Sequence, residues 1–131
     1  MSDSRSPLPD LARACLDALP DLVALCRYDA QAVEARIVEA NRAALLATGL
    51  SREEILGALP RELMLDSGPF MDREARRAVF EAARRQGVFE VPAGLRLLTR
   101  ADRPALRVRV VWPDPEQDLL LFIAEVQPAP A

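Results

Sequence analysis

The chain has 131 residues, half of them apolar, which fits a single domain with a buried core. Its 20 acidic and 17 basic residues give a net charge of −3, and every basic residue is an arginine, because the sequence contains neither lysine nor histidine. These counts exclude imidazole bases and imidazole metal ligands, Schiff-base lysines and phosphate-loop lysines. The slight negative charge also argues against nucleic acid as a partner.

The sequence predicts a cytoplasmic protein with reduced thiols. Its two cysteines, Cys15 and Cys26, are too few for a disulfide framework and lack metal-site spacing. The first ten residues, MSDSRSPLPD, are polar and do not resemble a signal peptide. No apolar run reaches the roughly 20 residues that a membrane-spanning helix needs. Arginine-only usage with abundant alanine is typical of GC-rich bacterial coding.

Residues 1–20 are predicted to form a disordered polar lead followed by an N-terminal amphipathic helix that Pro20 ends. Residues 22–28 and 36–40 are then predicted to be short strands. The helix carries an apolar stripe at spacings of three and four, formed by Leu8, Leu11, Cys15, Leu16 and Leu19.

Short helices dominate the middle of the chain. Asn41 is predicted to cap a helix over residues 42–48, which ends at Gly49. Ser51 is predicted to cap the next helix, with Glu54 completing a capping box. Both residues are therefore interpreted as structural caps rather than as catalytic groups.

A helical turn is predicted over residues 60–65 and the longest helix over 69–86, closed by Gly87. Its arginines are compatible either with a solvated face paired to Glu74 and Glu81, which we favour, or with an anion site. These arginines are Arg73, Arg76, Arg77, Arg84 and Arg85.

After Gly87 the chain is predicted to form three strands, over 88–99 with a break at 92–94, over 105–112 and over 119–126. This order of elements predicts an α+β fold, a five-stranded antiparallel sheet with helices on one face plus the N-terminal amphipathic helix. The domain is placed at residues 21–127, with a tail at 128–131.

Two segments, DLVALCRYD at 21–29 and RIVEANRAALLATGLSREEILG at 36–57, resemble the PAS domain family. The family pattern of Asn-x-Ala-Ala followed by Ser-x-Glu-Glu-Ile-Leu-Gly is present in full, and the resemblance extends more weakly to residue 127. It implies the sheet-and-helix fold described above and a sensory or regulatory role in signal transduction.

PAS domains hold haem, flavin or small metabolites between sheet and helices. Haem-binding members use a histidine, which is absent here, and RELMLDSGPF at 61–70 lacks the cysteine of photoreceptor members. The resemblance therefore implies no haem, no covalent flavin adduct, no metal and no required cofactor. A non-covalent small molecule stays open, as does simple core packing, for six inward-facing residues: Met64, Phe70, Phe80, Leu97, Val110 and Phe122.

The stripe on the N-terminal helix exceeds what one sheet domain needs. In PAS domains such a helix packs on the outer sheet face, its own or that of a second copy. We therefore expect a homodimer that uses this stripe, with intramolecular packing as the alternative. The resemblance also leaves open a small-molecule ligand and an output kinase, cyclase or regulator as partners. The net charge and the lack of a long apolar run argue against nucleic acid and a membrane.

Three functions remain open from the sequence. The first is a non-enzymatic sensory domain that binds a ligand, dimerises or does both, and the second is a dimerisation module with a filled core. The third is a small α+β enzyme that uses a carboxylate base on an inward strand position. Glu90 and Glu125 are the strand carboxylates considered for that role, and both are predicted to face solvent.

Overall fold

The computed structural model describes residues 9–65, 68–92, 95–97 and 101–127. The predicted lead, Leu8 of the apolar stripe and the tail at 128–131 lie outside these ranges. The described part contains four α-helices, namely α1 (Asp10–Ala18), α2 (Arg42–Thr48), α3 (Arg52–Ile55) and α4 (Arg73–Gln86), and two 3₁₀ turns at Pro60–Leu63 and Gly68–Met71.

The described strands form one antiparallel sheet, in which the N-terminal and C-terminal strands lie side by side at the centre. The spatial order is β2-β1-β7-β6-β5-β3, and β4 pairs with β6 beside β5. The predicted α+β class is confirmed. The strands are β1 (Leu22–Asp29), β2 (Glu34–Ala40), β3 (Met64–Leu65), β4 (Val88–Glu90), β5 (Leu95–Leu97), β6 (Ala105–Val111) and β7 (Leu119–Val126).

The described sheet has seven strands rather than the predicted five, because one edge is divided into short strands. Strands β4 and β5 are two parts of one edge, because Val88 pairs with Val111 and Leu95 with Leu106 on the same strand. Strand β3 was predicted to belong to a helical turn over 60–65, and that part of the prediction was wrong. The turn ends at Leu63, because the next two residues find backbone partners in β5.

The long helix begins later than predicted. Asp72 accepts a hydrogen bond from the Ala75 backbone N–H at 2.8 Å and is the N-cap of α4. The segment before it, which starts at Gly68, is a separate 3₁₀ turn. Gly87 ends α4 with a φ of 88°, a conformation that glycine adopts without a steric penalty.

The hydrophobic core lies between the sheet and the helices α2 to α4. On β6, Leu106, Val108 and Val110 are buried while Arg107 between them is exposed, so the predicted alternation is confirmed. The face of the sheet that carries these buried residues is called the inner face below, and the opposite face is called the outer face.

Candidate functional site

Asn41 joins three elements at the start of α2. Its side chain is fully buried, and its Oδ1 accepts from the backbone N–H groups of Val23 and Ala44, both at 3.0 Å. Its Nδ2 donates to the carbonyl oxygens of Leu16 at 3.0 Å and Asp21 at 2.9 Å. The residue therefore caps α2 and also ties α1 and β1 to it.

Ser51 makes a simpler cap at the surface. Its Oγ accepts from the Glu54 backbone N–H at 3.2 Å, and the Glu54 carboxylate accepts from the Ser51 backbone N–H at 2.9 Å. This second hydrogen bond stabilises the ionised carboxylate and lowers the pKa of Glu54. The arrangement is a complete capping box.

Aromatic rings fill the centre of the inner face. The ring centroid of Phe122 lies 5.5 Å from that of Phe70 and 6.3 Å from that of Phe80, and Phe70 and Phe80 are 6.2 Å apart. All three side chains are buried. The gap beside them measures only about 10 Å³.

A larger cavity of about 60 Å³ lies between the sheet and α2, α3 and the first 3₁₀ turn. Three of the six candidate ligand residues line it, namely Met64, Leu97 and Phe122. Phe70 and Phe80 border the smaller gap, and Phe80 also lines a separate space of about 220 Å³ beside Trp112. Val110 lines none of these spaces although it is fully buried. The cavity wall is apolar except for Thr48, whose hydroxyl donates to the Ala44 carbonyl oxygen at 2.8 Å.

The outer face carries aliphatic side chains that the fold covers only in part. Leu25 pairs with Leu121, which in turn pairs with Val111, so these residues form one row across β1, β7 and β6. All three are half-buried. In the next row Ile123 pairs with Arg109, so the aliphatic row is bordered by charge.

Helix α1 lies beside this row and exposes its apolar stripe. Leu11 is 77% exposed and Leu19 46% exposed, Cys15 is exposed and Leu16 half-buried. An apolar groove of about 540 Å³ separates the helix from Leu25 and from residues 119–121. Three residues of the predicted stripe, Cys15, Leu16 and Leu19, therefore line one open groove, and no residue of α1 is buried in the described structure.

The two cysteines lie in opposite environments. Cys26 is fully buried on β1, and burial raises the pKa of its thiol far above the ordinary value. Cys15 is exposed in the groove on α1. Thiol reagents will therefore distinguish the outer face from the core.

The buried carboxylates on strands are Glu34 and Glu39, which the sequence analysis did not single out. Glu39 is bound by Arg13 and Arg52, and Glu34 by Arg61 at 3.2 Å and Arg76 at 2.7 Å. Each carboxylate is therefore paired with two arginines. Alternation along β2 does not predict this burial, because a register shift pairs Glu39 with Leu25 of the outer face, whereas Ile37 pairs with Cys26 of the core.

Glu90 and Glu125, the strand carboxylates considered as bases, are not inward-facing. Glu90 is exposed and accepts from Arg107. Glu125 is half-buried, pairs in register with the exposed Arg107 and lies 3.9 Å from Arg109. Neither position offers the enclosed, apolar surroundings of a catalytic carboxyl group.

The arginines of α4 do not share one role. Arg76 is buried, and its guanidinium donates to the carbonyl oxygens of Val33, Ala32 and Phe70 as well as contacting Glu34. The interpretation of a solvated face was wrong for this residue. It holds the β1–β2 turn, where Val33 adopts a φ of 55°. Three other arginines of α4 contact separate partners. Arg77 pairs with Glu74, Arg73 donates to the Gln31 carbonyl oxygen, and Arg84 donates to the Pro115 carbonyl oxygen.

Two further searches of the described residues found no site. No group of three or more cysteine, aspartate or glutamate side chains within them is arranged to hold a metal ion. No helix among them has both the length and the apolarity needed to cross a bilayer.

The fold is similar to several solved PAS structures. The PAS domain of a protein from Colwellia psychrerythraea is 18% identical with a TM-score of 0.63, and the match covers 89% of this chain and 94% of that one. The PAS domain of an HTR-like protein from Haloarcula marismortui is 19% identical with a TM-score of 0.59, covering 89% and 95%. The Rhodobacter sphaeroides LOV protein is 24% identical with a TM-score of 0.59, covering 92% and 67%.

The sequence itself carries the same relationship. The support comes from a family profile, since no curated protein matches the chain. The profile described as PAS domain matches residues 11–84, which is more than half of the chain and includes Asn41 and the capping box. The chain therefore belongs to the PAS domain family.

Proposed function

We propose that this PAS domain is a non-enzymatic regulatory module of a signalling protein and acts by self-association through α1 and the outer face of the sheet. The observation that carries the proposal is the open groove between them. Its walls are mainly aliphatic, and Leu11, the most exposed apolar side chain of α1, lies one helical turn before the groove residue Cys15. Contiguous exposed apolar surface of this kind marks interaction sites in soluble domains.

The favoured occupant is a second copy of the chain. A two-fold dimer requires one surface to be complementary to itself. This surface offers both parts, a projecting leucine at residue 11 and a groove of about 540 Å³ lined by Cys15, Leu25 and Leu121. The charges beside the groove are mixed in sign, with Arg109 near Glu125, so two copies can meet without net repulsion.

Analytical ultracentrifugation of matched variants tests this proposal. Leu11→Glu places a charge at the groove, whereas Leu46→Glu places the same charge at an equally exposed leucine on α2, 75% against 77%. We expect the wild type and Leu46→Glu to be dimers and Leu11→Glu to be a monomer. A monomeric wild type at high micromolar concentration, or equal dimerisation of the two variants, contradicts the proposal.

A second candidate function is the binding of a small apolar molecule in the 60 Å³ cavity. Its wall includes Met64, Leu97 and Phe122, and the hydroxyl of Thr48 is already bonded. Such a cavity suits a molecule of a few heavy atoms, since pockets for larger ligands measure roughly 300–1,000 Å³. Xenon pressure with NMR detection of the Met64 methyl group tests it, and an unperturbed Met64 signal contradicts it.

The same packing argues against a flavin. The space between Phe70, Phe80 and Phe122 is filled by their rings, and the cavity offers no unpaired polar side chain among the described residues to orient a polar ring system. A haem would find no axial histidine, because the sequence contains none. We therefore propose a domain that requires no cofactor, and native mass spectrometry with no co-purifying mass is the expected result.

The wider setting is also part of the proposal. The domain over residues 21–127, with α1 added at its N-terminal side, acts in the cytoplasm. Its outputs are a kinase, a cyclase or a transcription regulator, reached through protein contacts. Nucleic acid is not a proposed partner, because the net charge is −3 and the basic residues are mostly paired with nearby carboxylates or carbonyl groups.

A further inference from the structure

Helix α1 is attached to the domain by its polar side. The carboxylate of Asp17 accepts from the Arg42 backbone N–H at 2.9 Å, and the Leu16 carbonyl accepts from Asn41. Arg13, one turn before Asp17, forms an ion pair with Glu39 of β2. At 100° per residue, Arg13 and Asp17 lie on the side of α1 away from the apolar stripe, except that Leu16 lies between the two sides. The helix is therefore held by its polar side, while Cys15, Leu16 and Leu19 border the open groove.

Glu39 is the central residue of this attachment. Its side chain is fully buried, and it pairs in register with Leu25, which lines the groove. Besides Arg13, it binds Arg52 of α3, with Oε2 3.1 Å from Nη2 and Oε1 3.3 Å from Nε. One carboxylate is therefore shared between the helix beside the groove and a helix of the domain body.

We propose that the ion pairs of the Glu39 carboxylate keep α1 docked on the domain, so that breaking them releases α1 as a unit. This carboxylate is called the latch below. Glu39 is a positioning residue in this role, because it acts on the groove only through α1. The consequence for self-association rests on the proposed function, whereas the docking of α1 does not.

The physical basis is the imbalance between polar and apolar contacts of α1. No residue of the helix is buried, and Ala12 and Leu16 are its only half-buried apolar residues, so the docking of α1 buries little apolar area. Its position depends on the ion pair with Glu39 and on the hydrogen bonds to Arg42 and Asn41. If the Glu39 carboxylate is replaced by a neutral amide, Arg13 loses its ion-pair partner. The Arg13 side chain, which is 24% exposed, is then solvated better by water than by the amide, so the docked position of α1 is less favourable.

Hydrogen exchange of the α1 amides in the full chain tests the latch. We expect Glu39→Gln to accelerate exchange over residues 13–18 by about tenfold or more, as local opening becomes easier. Glu53→Gln makes the same chemical change at an exposed position of α3 and should leave α1 unchanged. Equal α1 exchange in these two variants overturns the proposal.

Arg13 provides an independent route to the same result. Arg13→Gln removes the α1 side of the ion pair without altering the buried strand, so it remains informative if Glu39→Gln fails to fold. We expect it to accelerate α1 exchange as well, and Arg13→Lys to restore much of the protection because it keeps the charge. Wild-type protection in Arg13→Gln, measured on folded protein, overturns the latch.

The Leu11→Glu background separates the two proposals. The polar side of α1 is unaltered there, so Glu39→Gln should still accelerate α1 exchange in a monomer. If the wild type does not dimerise but Glu39→Gln frees α1, the proposed function fails and the latch stands. If the wild type dimerises and Glu39→Gln leaves α1 protected, the latch fails and the proposed function stands.

Discussion

Two neighbours on β7 show how differently the two faces of the sheet are completed. Phe122 points to the inner face, where Phe70 and Phe80 surround it, and it is 6% exposed. Leu121 points to the outer face, where it is half-buried beside an open groove. The chain itself covers the inner face and leaves a cavity of about 60 Å³ there, whereas the outer face keeps apolar surface without a cover. This contrast is why we place function in contacts on the outer face.

The largest expected effect is at Phe122. Phe122→Ala leaves a cavity among packed rings and should lower the free energy of unfolding by about 3–5 kcal/mol. Leu121→Ala, one residue along the same strand, removes a side chain from a half-open site and should cost about 1 kcal/mol in the monomer. Urea unfolding in the Leu11→Glu background measures both. Similar losses for the two variants would mean that the faces are equally packed.

The next largest effect is expected at Asn41, because its side-chain amide joins α1 and the sheet through both its oxygen and its nitrogen. Asn41→Ala removes the cap of α2 and leaves the buried Val23 N–H without its acceptor, so we expect a loss of about 2–4 kcal/mol. Ser51→Ala, at the exposed capping box, should cost about 1 kcal/mol. Urea denaturation of the two variants decides whether the amide does more than cap one helix; equal losses contradict that conclusion.

The smallest effect is a pH dependence at Glu54. Its folded-state pKa is lowered by the Ser51 N–H, so its contribution to stability is present above the unfolded value of about 4.3 and is lost as pH falls through the folded value. NMR titration should show the Glu54 pKa below its usual range in the wild type. If Ser51→Ala reshapes the helix start, the Glu54 pKa should rise toward its usual range; an ordinary value already in the wild type contradicts the capping-box geometry.

Local features of this fold can be predicted from the sequence because their causes are local. The caps at Asn41 and Ser51 depend on residues three positions away, and the alternation on β6 depends on a period of two. The strand pairing of Met64 is different. It depends on Leu97, which is distant in the sequence, and a two-residue strand carries no periodicity of its own.

The candidate sites are less predictable, because they also depend on partners that are distant in the sequence. Whether Phe70 borders a ligand space or fills it depends on how closely Phe80 and Phe122 approach, which no spacing in the sequence specifies. The buried Glu39 needs arginines from α1 and α3, 26 and 13 positions away, and the buried Arg76 needs the Val33 carbonyl 43 positions away. Tertiary partners, rather than local pattern, decide which charges are buried.

The reactivity of Cys15 tests self-association at the outer face most directly. Cys15 lies in the groove and Cys26 in the core, so one protein carries both the probe and its internal control. We predict that the alkylation rate of Cys15 falls severalfold as protein concentration rises through the dimerisation range, while Cys26 stays unreactive until the protein unfolds. A Cys15 rate that is independent of concentration while the protein dimerises would show that the dimer forms elsewhere and would contradict the account.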